Sequence, residues 1–146
     1  LGASLLVALT VVPAVSSKVL TAKDHVKEVK FMDKLSQAYE KVLDKNPENT
    51  TALNGLGYIL ASTGKDLTKA LFLCKKAVDA NPESSAYLDS LGWVYFKLGL
   101  LKEAKTFVKR ALEKNPDNEE IKSHYQEILS SSSDIKNNDI PRRGQF

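Results

Sequence analysis

An all-α protein built as a stack of helix pairs is what this sequence predicts, and three observations carry that expectation. The Asn-Pro pair recurs in KNPEN (45–49), ANPES (80–84) and KNPDN (114–118), so the same turn returns at nearly constant spacing. Between the turns, apolar residues fall at the three-to-four-residue intervals of an amphipathic helix. No stretch carries a convincing strand pattern. A turn repeated at one spacing marks an architecture rather than a local bend.

The first 17 residues, LGASLLVALTVVPAVSS, carry no charge. Two readings stand for this run. It is the end of an export signal or membrane anchor, with Ala14, Val15 and Ser16 suiting a signal-peptidase site, or it is an apolar helix packed on the following domain. The first is preferred, because uncharged runs of this length are unusual on small soluble domains, and it places the protein in an envelope rather than the cytoplasm. Residues 18–30 read as a polar, lysine-rich connector or degenerate helix. From Phe31 the period strengthens through Leu35, Ala38, Tyr39, Val42 and Leu43 until Asn46-Pro47 ends the helix, since the residue before proline is pushed out of helical geometry.

Asn49 or Thr50 then caps a second helix, which runs through Leu53, Leu56, Ile59 and Leu60 to Gly64, a residue suited to the left-handed turn at a helix end. Asp66 opens the third helix, with Leu67, Ala70, Leu71, Cys74, Ala77 and Val78 on one face, up to Asn81-Pro82. The cycle restarts at Ser84 or Ser85 and passes Leu88, Leu91, Tyr95, Gly99, Ala104, Val108 and Ala111 to Asn115-Pro116. A last helix is expected over 119–130, opened by Asp117 with Glu120 in a capping box. Residues 131–146 read as a mobile tail. Each helix is short and one-sided, so its apolar stripe must be buried on neighbours.

The landmarks within these pairs resemble the tetratricopeptide repeat family, whose first helix carries W-x2-L-G-x2-Y and whose second carries A-x3-F, a further Ala and a closing Pro. Residues 85–118 read Leu88-x2-Leu91-Gly92-x2-Tyr95, then Ala104-x3-Val108, Ala111 and Pro116. Residues 50–84 read Leu53-x2-Leu56-Gly57-x2-Leu60, then Ala70-x3-Cys74, Ala77 and Pro82, with one extra residue in the 64–66 turn. Residues 31–49 look like the second helix of a partial repeat. The resemblance implies a short right-handed solenoid over 31–130, closed by a C-terminal capping helix. Tyr125 and Gln126 stand where Leu-Gly would continue the pattern, which fits an end cap. The segments NGLGYIL, LDSLGWVYFKLG and EIKSHYQEIL further resemble a bacterial envelope-associated subgroup.

Composition narrows the chemistry. With 42% hydrophobic and 27% charged residues the chain is that of a folded protein, and a net charge of +3 with interleaved acids gives little for nucleic acid to hold. One cysteine excludes an intramolecular disulfide and any cysteine-rich metal site. Cys74 fills a slot for a large apolar residue and reads as a core thiol. His25 and His124 read as solvated surface histidines without carboxylate partners, so no metal or cofactor is expected. No phosphate-binding glycine loop is present, because Gly55 and Gly57 lie inside a helix. Lys102, Lys105 and Lys109, with Lys75, Lys76 and Arg110, read as a solvated outer face rather than a phosphate track.

The function expected is therefore not enzymatic. The resemblance implies that a partner peptide or helix lies along the first helices, against Asn54, Tyr58, Asp89, Trp93, Phe96 and Lys97. Tyr58, Trp93 and Phe96 would supply apolar contact and the other three direction; Trp93 and Phe96 could instead belong in part to the core. Some family members clamp a terminal carboxylate with Lys and Asn, but Tyr58, Asp89 and Trp93 among these positions argue against such a clamp here. The alternative is a structural subunit of a larger, membrane-associated homo- or hetero-oligomer that uses its whole surface. A nucleic-acid-binding helical repeat ranks last.

Overall fold

The computed structural model describes residues 21–138, with side chains through residue 133. Expectations for 1–17, and for the parts of the connector and tail beyond these limits, lie outside the described residues. Among the described residues there are six helices and no strand: α1 (Ala22–Lys45), α2 (Thr50–Ser62), α3 (Leu67–Ala80), α4 (Ser85–Lys97), α5 (Leu101–Lys114) and α6 (Glu119–Asn138). No helix among them is long and apolar enough to cross a membrane. The chain divides into two compact units, Leu1–Lys34 and Leu35–Phe146. In the first, Thr21 begins α1: its hydroxyl accepts from the Asp24 N–H, and the Asp24 carboxylate accepts from the Thr21 N–H, an N-terminal box. The helix is continuous across 22–45, so the polar connector and the partial repeat share one element.

In the second unit the pairs α2–α3 and α4–α5 stack, and α6 closes the series against α5 and α4. The core runs through them as one cluster, from Leu53 and Leu56 through Cys74, Leu88, Leu91 and Val108 to Ile121 and Ile128. Close approach within each pair needs a residue without a side chain. A Cβ added at Gly57 would lie 2.5 Å from Cys74 Sγ and 3.2 Å from the Ala70 carbonyl oxygen. At Gly92 it would lie 2.5 Å from Val108 Cγ2 and 3.2 Å from the Ala104 oxygen. Ala70 and Ala104 are fully buried at these crossings, and Ala77 and Ala111 are fully buried further along the second helices.

The three Asn-Pro turns share one backbone pattern. The Asn N–H donates to the carbonyl four residues back, and its own carbonyl accepts from the residue three ahead: Asn49 on Asn46, Ser84 on Asn81, Asn118 on Asn115. That third residue then caps the next helix, through Asn49 to Ala52, Ser84 to Tyr87 and Asn118 to Ile121. Thus Asn118, not the expected Asp117, caps α6. The turn geometry places position 118 where 49 and 84 sit, and Glu120 is drawn to Tyr58 instead of back to the cap. The helix also continues past Ser130 to Asn138, where a mobile tail was expected. Ser130, Ser131, Ser132 and Ser133 return their hydroxyls to carbonyls three or four residues earlier, so the serine run satisfies its polar groups within the helix.

Candidate functional site

The first helices of the pairs, α2 and α4, the turn before α6 and the start of that capping helix line an open cavity of about 290 Å³. Its wall takes Asn54 and Tyr58 from α2, Asp89 from α4 and Glu120 from α6. Asn54 and Asp89 each follow the first leucine of the repeat landmark, so they hold one register position in successive repeats. The Tyr58 hydroxyl donates to Glu120 Oε1 at 2.8 Å, tying α2 to α6 across the cavity rim. Burial, and then that carboxylate, holds the phenol well above its usual pKa.

Asp89 is 5% exposed and His124 is 7% exposed. Their side chains meet at 2.9 Å, between Nδ1 of the imidazole and Oδ2 of the carboxylate. The expectation of a solvated His124 without a carboxylate partner is therefore overturned: α6 lays it against α4, where burial demands a polar contact. The imidazole also stacks on Trp93, with centroids 4.1 Å apart and planes 22° from parallel. Trp93 in turn directs Nε1 to the Ser62 hydroxyl at 3.2 Å and packs 5.1 Å from the Phe96 ring. The Lys97 ammonium lies 4.4 Å from the indole centroid.

Of the six expected contact residues, three therefore line the cavity: Asn54, Tyr58 and Asp89. Trp93 does not present its ring to a partner. It is 7% exposed, enclosed by His124, Phe96 and Lys97, and anchors the cap to the last repeat. Phe96 is half-buried against the core and Lys97 is exposed over the indole, so neither reaches the cavity wall. Glu120 was read only as a cap residue, yet it lines the cavity. Cys74 is fully buried, and burial pushes its thiol up to about 12, the state of an inert core group. Among the described residues no cluster of His, Cys, Asp or Glu is arranged to hold a metal ion.

Two tetratricopeptide repeat models match the chain, one over residues 36–85 and one over 65–128. The chain belongs to the tetratricopeptide repeat family. Solved tetratricopeptide domains share its fold. The first such domain of human RPAP3 is 25% identical, aligns over 79% of this chain and 89% of its own, and has a TM-score of 0.64. The first such domain of Spaghetti (RPAP3), bound to the HSP90 peptide SRMEEVD, is 25% identical over 76% of this chain and 86% of its own, at 0.62. An O-GlcNAc transferase from Thermobaculum terrenum is 30% identical over 64% of this chain, with a TM-score of 0.61, but the match spans 18% of that enzyme. Among curated proteins, none matches. A tetratricopeptide repeat chain with these neighbours is a protein–protein interaction module.

Proposed function

We propose that this module is non-enzymatic and holds a partner peptide or helix across the face formed by α2, α4 and the start of α6. The carrying observation is the cavity on that face, whose wall joins two successive repeats at equivalent positions and the capping helix. A related domain in complex with a peptide supports the reading. Tyr58 offers a half-buried ring at the rim, and Asn54 and Asp89 offer polar direction within it. For residues 1–17, we infer export or membrane anchoring from the uncharged run; cell fractionation with and without that segment tests it.

Selection from a random twelve-residue peptide library, followed by affinity measurement on variants, tests the groove. Ala86 lines the cavity, is exposed and lies on the first turn of α4, so Ala86→Trp adds bulk at the mouth without entering the core. Peptides selected on the native chain should lose at least ten-fold in affinity on Ala86→Trp and on Tyr58→Ala. Undiminished binding to both variants, with unchanged melting, would move the partner surface elsewhere.

A further inference from the structure

Among the described residues, two buried side-chain oxygens have no hydrogen-bond partner: Asn54 Oδ1 and Asp89 Oδ1. Both residues line the same cavity, at the same register in adjacent repeats. Leaving a buried carboxylate oxygen unpaired is costly, because a desolvated charge loses its water and gains nothing in exchange. His124 occupies only the other oxygen, Oδ2, and Oδ1 lies unpaired just beneath the cavity wall. Glu120 brings a second carboxylate to the wall. Among the described residues no lysine or arginine lines the cavity. The nearby cations are engaged elsewhere: Lys97 lies over Trp93, and Lys122 pairs with Glu119 at 2.8 Å.

We infer that this cavity takes the guanidinium of an arginine side chain on the partner peptide. Two carboxylates on a wall without a lysine or arginine favour a cationic group, and guanidinium supplies five N–H donors in a rigid plane. Such a plane has its charge balanced by Asp89 and Glu120, and it can donate to Asp89 Oδ1 and Asn54 Oδ1 once those side chains turn toward it. At about 290 Å³ the cavity sits at the small end for ligand sites and has room for an arginine side chain. The same walls would repel a peptide's terminal carboxylate. This inference rests on the peptide-binding reading and specifies one position of the bound partner.

The test uses N-acetyl-arginine amide and its neutral isostere N-acetyl-citrulline amide, titrated into the ¹⁵N-labelled chain. The arginine probe should produce saturable shifts at the amides of Gly55, Ser90 and Ile121, all on the cavity wall. Citrulline, with the shape but not the charge, should bind at least ten-fold more weakly. Asp89→Asn should weaken the arginine probe at least five-fold. Because Asp89 is buried against His124, Glu120→Gln serves as the second variant; Glu120 is exposed, and glutamine keeps an acceptor for Tyr58. It too should weaken arginine binding, and added salt should do the same. Absence of saturable shifts, equal binding of citrulline, or arginine binding unchanged in a folded Glu120→Gln variant would overturn the inference. Library peptides that still bind this face, yet tolerate arginine-to-citrulline exchange, would remove the guanidinium assignment alone. Loss of all peptide binding would instead remove the reading beneath it.

Discussion

A methyl group at Gly92 would meet Val108 Cγ2 at 2.5 Å and the Val108 nitrogen at 3.0 Å, so the neighbouring helix backbone, not only a side chain, would have to yield. Gly92→Ala should therefore destabilise by roughly 1–3 kcal/mol through overpacking, read as a lower urea midpoint with an unchanged slope. Gly57→Ala should behave alike, with Cys74 as the obstacle. Cys74 carries a pH prediction too. Its thiol is raised to about 12 in the folded chain, against about 8.5 for a free thiol. Between those values the unfolded chain has released a proton that the native chain keeps, so stability is full below the lower value. It falls as pH rises, by about 1.4 kcal/mol per unit at most. Tyr58, also raised, adds to the same alkaline loss. Urea midpoints at pH 8 and 10.5 should differ in that direction. Cys74→Val, which copies the Val108 of the next repeat, should remove the thiol's share of the slope. At pH 8 the native thiol should resist alkylation until the chain is unfolded.

At the scale of the helix, the two intra-pair turns differ by one residue. Gly99 (φ 77°) passes directly through Leu100 into α5, and Leu100 gives no side-chain cap. In the earlier pair, Gly64 (φ 68°) is followed by Lys65 and the additional Asp66, which takes φ 40° and caps Lys69. Leu100→Ser would place a hydroxyl three residues before Glu103, the pattern of a reciprocal N-terminal box. It should stabilise by roughly 0.5–1 kcal/mol, and it also removes a leucine that is 44% exposed. A thermal melt rising by a few degrees would agree; no change would show that the ψ of 71° at Leu100 keeps the hydroxyl from the helix. Helix ends were legible in the sequence wherever Asn-Pro and glycine punctuated a clear period. The start of α6 at Glu119 was legible too, but its cap was misplaced by one residue because Asp117 satisfies the same capping rule as Asn118. Comparison with Asn49 and Ser84, each three residues past its turn asparagine, carries the signal that separates them.

At the scale of the whole repeat unit, α6 is a cap that also completes the candidate site. Ile121 and Ile128 enter the core, His124 stacks on Trp93, and Glu120 reaches Tyr58. Truncation after Asn118 should therefore yield a chain with a broad, low-temperature melt and an exposed, red-shifted tryptophan. Truncation after Ser133 should melt like the full chain. Circular dichroism and emission spectra on the two chains check both outcomes. The stacked pairs were legible because each depends on short-range spacing that a period reveals. The site was only half legible. Asn54, Tyr58 and Asp89 could be placed from the landmark register, whereas the Asp89–His124 contact joins residues one repeat apart. It is set by how α6 docks, which spacing along either helix does not report. The same distance misled the reading of Trp93, whose ring suits a partner's surface and a core equally until its neighbours are known. One practical consequence follows from that ring. Trp93 is the chain's single tryptophan, and through the imidazole stacked on it lies two side chains from the cavity. The molecule thus carries a built-in optical gauge, able to follow seating of the cap and filling of the pocket in the native, unlabelled chain.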